Sequence, residues 1–198
     1  MTKSSGSASV ACLALRKPAA RKKLLKPDWS HFSHQNFVAI DFETANRYRN
    51  SACAISLVKV ENNKIVDTLT QLLRPPLLHF EFTYIHGITA QDVVQAPSYI
   101  EFHEKLLHFV EGASFLAAHN ASFDSSVLNA LCRHWNLQAP GLSWQCTVKL
   151  ARSTWGVYPT RLPDVCNHLN IALKHHDATS DATACARIVL ESRAHLNP

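Results

Sequence analysis

The sequence predicts a mixed α/β domain, with three antiparallel strands first, parallel strands later, and helices on both faces of the sheet. Two observations predict it. Three β-rich segments follow one another between residues 37 and 73, with an asparagine pair between the second and third. Beyond residue 89, short apolar runs alternate with longer segments opened by capping residues.

Phe37-Val38-Ala39-Ile40 is a continuous apolar run, as expected of a strand buried on both faces. Residues 54–61 and 64–73 form the next two strands, joined at Asn62-Asn63. Asparagine tolerates positive φ, so that pair predicts a tight hairpin. Arg74-Pro75-Pro76 ends the third strand. Thr89 with Asp92, and Ser98 with Glu101, have the spacing of helix starts. The second of these helices runs to about Glu111 and stops at Gly112. A buried strand over 114–119 leads to a helix over about 123–135. A short strand over 144–147 leads to a helix over 148–153, a helix covers 162–169, and Thr179 or Ser180 opens the last helix, to about Ala194.

Composition bounds the function. With 198 residues, 46% of them hydrophobic, the chain suits one globular domain over 36–198 and a tail over 1–35. No apolar run approaches the ~18 residues of a membrane span. Residues 1–36 hold seven lysines and arginines against Asp28 alone, so the net +5 resides in the tail. Such a segment suits phosphate backbones. The six cysteines form no C-x-x-C pair and fit no zinc template, which predicts reduced thiols and a cytoplasmic protein.

Three clusters carry chemistry. Asp41-Phe42-Glu43-Thr44 ends the first strand, where residues two apart share a face, so Asp41 and Glu43 converge. Their mutual repulsion opposes ionisation, and a hard divalent cation such as Mg²⁺ or Mn²⁺ relieves it. His119-Asn120-Ala121-Ser122-Phe123-Asp124 joins a buried strand to a helix and brings Asp124 to the same sheet edge. His175-His176-Asp177-Ala178-Thr179-Ser180-Asp181 puts Asp181 in the first turn of the last helix, with His176 five residues earlier on the loop. From there a histidine can swing toward water held by the carboxylates. Each cluster alone is common; together, in the order D-x-E, N-x-x-F-D, H-x-x-x-x-D, they are specific.

In this combination the chain resembles the DEDDh, or DnaQ-like, 3′→5′ exonucleases, similar to the proofreading epsilon subunit of bacterial DNA polymerase III. The resemblance covers about residues 36–194, including Ile85-His86-Gly87-Ile88-Thr89 and Thr147-Val148-Lys149-Leu150-Ala151-Arg152. It implies a ribonuclease-H-like fold and two metal ions. Asp41 would bridge both, Glu43 and Asp181 would complete one site, and Asp124 would serve the second. His176 would act as general base, with products nucleoside 5′-monophosphates. His175 is the competing base, one residue too far from Asp181 for the pattern and expected to matter little. On the substrate side the resemblance places His86 near the terminal nucleotide; Ile88 is either a wedge against the terminal base or a core residue, Thr44 can offer its N–H or hydroxyl to the 3′ end, and Asn120 and Phe123 shape the pocket around Asp124. Ser56 and Cys146 depart from the pattern, where many relatives have glycine and aspartate, but neither is a metal ligand.

The expected partner is nucleic acid with a free 3′ end, DNA first. The alternative is RNA 3′-end trimming or an oligonucleotide-degrading exoribonuclease. Seventeen residues follow Asp181, so no C-terminal polymerase-docking extension is expected.

Overall fold

A strand that is apolar at every position must be covered on both sides, and residues 37–40 meet that condition. In the computed structural model, which describes residue 1 and residues 35–196, they begin strand β1, Phe37–Thr44. The tail expected over 1–35 therefore lies almost wholly outside the described residues. Strand β2 is Ala52–Glu61 and β3 is Lys64–Leu72. Asn62 and Asn63 turn between them at φ 50° and 60°, the left-handed values that the asparagine pair predicts. Strands β4, Phe115–Ala118, and β5, Ser143–Cys146, complete a five-stranded sheet in the order β3-β2-β1-β4-β5. The first three strands pair antiparallel, while β4 pairs parallel with β1 and with β5.

Seven helical segments surround it: α1 Thr83–His86, α2 Ala90–Val93, α3 Tyr99–Val110, α4 Ser122–His134, α5 Thr147–Trp155, α6 Leu162–Leu169 and α7 Ala178–Leu196. Both predicted N-termini carry capping boxes, in which the Thr89 and Ser98 backbone N–H groups donate to Asp92 and Glu101 at 2.7 Å. Helix α1 leaves no trace in the sequence pattern, because a single turn is too short to show a helical period.

The pleat of β1 sorts the core into two layers. Phe37 and Ala39 face one way and pack with residues of α5, α6 and α7, among them Leu150, Val165, Cys185 and Ile188. Val38, Ile40 and Phe42 face the other way and pack with α3 and α4 through Phe102, Leu106, Leu128 and Leu131. At the start of β1 the buried Arg193 of α7 lies 4.9 Å over the Phe37 ring and donates to Asn63 Oδ1 and to the Gln35 carbonyl, both at 2.8 Å. That contact ties the chain entering the domain, the hairpin turn and the last helix together.

Candidate active site

The alternation that makes Phe37 and Ala39 core residues continues along β1. Asp41 and Glu43 therefore fall on the α7 side, while Phe42 enters the opposite core. The first turn of α7 brings Asp181 to meet them, at 4% exposure. One carboxylate oxygen from each of Asp41, Glu43 and Asp181 lies within 4.8 Å of the others. Asp124, 2% exposed in the first turn of α4, comes from the other layer and accepts a hydrogen bond from the Phe42 N–H at 3.2 Å. The four carboxylates singled out in the sequence thus converge where β1 ends.

Their ionisation is strongly opposed. Burial first, then Asp181 and Asp124, push Glu43 up to about 8. Burial raises Asp124 to about 7, against the pull of the Phe42 N–H and of Arg49. Asp41 is raised well above the ordinary carboxylate range by burial and by Asp124, Glu43 and Asp181. Asp181 is raised by burial, with the His176 N–H and His175 opposing.

The loop before α7 holds Asp181 from two sides. His176 sits at φ 67°, a left-handed value that costs a non-glycine residue about 1–3 kcal/mol. In that conformation its backbone N–H donates to Asp181 Oδ2 at 3.1 Å. The His175 Nδ1–H donates to the same oxygen at 3.0 Å. The two imidazoles stack with centroids 3.8 Å apart. Burial and His175 hold the His176 imidazole below its ordinary value, so it is neutral near pH 7 and able to accept a proton. His175, in sequence only the competing base, is bonded in the structure to a carboxylate.

The remaining candidates divide. Thr44 is buried, and its carbonyl accepts from His86 Nε2–H at 3.2 Å. His86 Nδ1 accepts the Ile88 N–H at 3.0 Å, so this ring braces the end of β1 against the turn after α1. It also lines a cavity with Glu43, Thr44, Phe82, Ile85 and Phe123. Ile88 packs instead with Ala45, Cys53 and Val93. It also lines another cavity with Glu43, Ile85 and His86, and Ile85 borders both this cavity and the one beside Phe123. Phe123 carries the Arg49 guanidinium over its ring at 4.3 Å. Asn120, at φ 67°, turns the chain from β4 into α4 and lines a second cleft, beyond Asp41 and Asp181. Arg49 and Phe82 carry no motif, which is why sequence spacing did not select them, and Ile85 stands in a matched segment without an assigned role.

A divalent cation fits this donor set. Asp181 Oδ1 is buried with no hydrogen-bond partner among the described residues, although its neighbouring oxygen has two. A buried oxygen without a partner is costly unless something positive satisfies it. The all-oxygen carboxylate set suits a hard ion, and the clustered charge asks for one.

Comparison with known proteins follows the same lines. Residues 38–189 match the RNase_T family, described as exonuclease. The PolC-type DNA polymerase III of Thermotoga petrophila is 31% identical over 169 residues, covering 81% of this chain and 12% of that protein. Exodeoxyribonuclease 10 of Escherichia coli K12 is 31% identical over 161 residues, covering 77% of this chain and 66% of that protein. The chain thus spans about an eighth of the polymerases and two thirds of the exodeoxyribonuclease. Among solved structures, exonuclease X in complex with 5′ overhanging duplex DNA aligns with a TM-score of 0.62 at 25% identity, over 81% of this chain and 91% of that one. The nuclease domain of 3′hExo, a DEDDh family member bound to rAMP, aligns with a TM-score of 0.70 at 20% identity, over 80% and 91%. No described helix is long and apolar enough to cross a membrane. With its domain matched over nearly its whole described length, the chain belongs to the RNase_T exonuclease family.

Proposed function

We propose that this chain hydrolyses terminal phosphodiester bonds at a free 3′ end, preferentially of DNA, and releases nucleoside 5′-monophosphates. The observation that carries the reading is the convergence of Asp41, Glu43 and Asp181 around the partnerless Asp181 Oδ1, with Asp124 beside them. These residues would hold two divalent ions, Mg²⁺ or Mn²⁺, which neutralise charge developing on the transferred phosphoryl group. His176 takes the proton of the attacking water, a task suited to an imidazole neutral at pH 7. The His176 N–H and His175 keep Asp181 oriented. Ile85, Phe82 and Phe123 give the terminal nucleoside an apolar seat. The exodeoxyribonuclease among its relatives supports DNA as substrate.

The test is digestion of matched 5′-labelled DNA and RNA oligonucleotides in Mg²⁺ or Mn²⁺, with products sized. Stepwise shortening from the 3′ end, faster for DNA, is expected. EDTA should abolish it and added Mg²⁺ or Mn²⁺ restore it. Undiminished cleavage in EDTA rejects the metal-dependent reading, and faster RNA shortening reverses the substrate preference.

A further inference from the structure

Two of the openings beside the carboxylates, among the described residues, differ in size. The smaller, about 280 Å³, is the apolar seat beside Glu43. The larger, about 620 Å³, lies across Asp41 and Asp181 and is walled by α5, the start of α6 and the segment 157–161 between them. The wall formed by α5, α6 and 157–161 takes no part in the proposed chemistry, yet it is closely fastened.

Thr160 is the fastening point, at 6% exposure. Its carbonyl accepts from His119 Nε2–H at 3.0 Å, which leaves His119 Nδ1 to accept the Thr147 hydroxyl at 2.8 Å. Its hydroxyl accepts from Arg152 Nε–H at 2.8 Å and donates to the Val157 carbonyl at 2.9 Å. Strand β4, helix α5 and the segment 157–161 are thereby locked to one another. Two features stand on that rigid wall. Tyr158 presents a ring that is 85% exposed. Arg152 lines the cleft too, and its bond to Thr160 engages only Nε–H of a guanidinium that has further donors. The other arginine there, Arg161, is already paired with Asp164 at 2.9 Å.

We infer that this cleft binds the strand upstream of the scissile phosphate, with the penultimate base stacked on Tyr158 and its 5′ phosphate held by Arg152. The inference rests on the exonuclease reading. A terminal nucleoside needs a small closed seat, whereas the strand behind it needs an open exit. A polyanion leaving a carboxylate centre also needs positive charge on its route. An exposed aromatic ring beside an arginine is the usual platform for single-stranded nucleic acid, and it tolerates any base. A comparable ring, Tyr84, is 82% exposed but stands on a third cavity beyond Glu43, where Lys174 is paired with Asp177 at 3.3 Å.

The experiment compares two substrates. The 5′-p-nitrophenyl ester of thymidine monophosphate carries the terminal nucleoside and the scissile phosphate but no upstream nucleotide. A single-stranded DNA decamer carries all three. Tyr158→Ala and Arg152→Gln should each lower the ratio of kcat/KM for decamer over ester, Tyr158→Ala by about 5- to 100-fold from the usual loss on removing a stacked base. Tyr84→Ala should leave the ratio where it is. The inference is overturned if both substrates lose activity in proportion, if neither variant changes the ratio, or if Tyr84→Ala is the variant that lowers it. Should the wild type be inert towards both substrates, the exonuclease reading fails by itself. Equilibrium binding of the fluorescent decamer then decides the cleft, with weakened binding in both variants supporting it and wild-type binding overturning it.

Discussion

Strand β1 presents the same face to α7 along its whole length, yet its two halves do opposite things there. The first half buries Phe37 and Ala39 against apolar partners. The second buries Asp41 and Glu43 against Asp181, a third carboxylate. Every residue in the first half gains by leaving water. In the second half, burial and mutual repulsion raise the carboxylates, so folding works against their charge. The difference shows which half maintains the fold and which half depends on it. The apolar end holds strand and helix in register, and the acidic end uses that rigidity to keep like charges together.

Four measurements break or sharpen this contrast. The largest effect belongs to the acidic end. His176→Ala should lose roughly 10²–10⁴ in turnover, with metal binding nearly unchanged and the acid-side limb, where the rate rises with pH as the imidazole loses its proton, gone. Phe37→Ala, at the apolar end, should cost about 3–5 kcal/mol of stability in denaturant unfolding. The fraction that stays folded should show the wild-type metal requirement; a shifted requirement would mean that the halves are not separable. His175→Ala removes a hydrogen bond to Asp181, and its effect on metal affinity should be about 10–100-fold, the range for a group that orients a ligand. If His175→Ala rather than His176→Ala abolished the histidine limb of the pH–rate profile at saturating metal, the general base would be His175.

The smallest effect is on stability and has the opposite sign. Glu43 titrates at about 8 in the fold against 4.5 in an ordinary setting. In that window the unfolded chain gives up its proton before the folded one does, so the metal-free protein should lose stability as pH rises from about 4.5 to about 8. Glu43→Gln should flatten that slope and raise the metal-free Tm at pH 8, by about 2–4 °C for each kcal/mol relieved. Mg²⁺ should stabilise the wild type more than this variant. A metal-free wild type that grows more stable between pH 5 and 8 would contradict the electrostatics described.

Sequence spacing revealed most of the acidic end, because its residues sit on period-two and helix-start positions that show in a linear chain. The α6 bounds, both capping boxes and the Asn62-Asn63 turn were legible for the same reason: local chemistry sets them. The rest depends on distant contacts. That Ile85 joins the seat beside Glu43 depends on a one-turn helix too short to leave a pattern. The bond from His175 to Asp181 follows from the left-handed turn at His176, which no spacing rule signals. The latch at Thr160 joins residues 119, 147, 152 and 160, and no short motif contains them all.

The Arg193 clamp has a practical consequence. It fixes Gln35 at the end of β1 away from the carboxylates, and the six residues from Gln35 to Asp41 span roughly 20 Å at about 3.3 Å each. A surface, bead or dye coupled at position 35 is therefore attached at the far pole of the sheet. The openings beside the carboxylates then face solution, so the protein can be immobilised through that end with its working face still presented to nucleic acid.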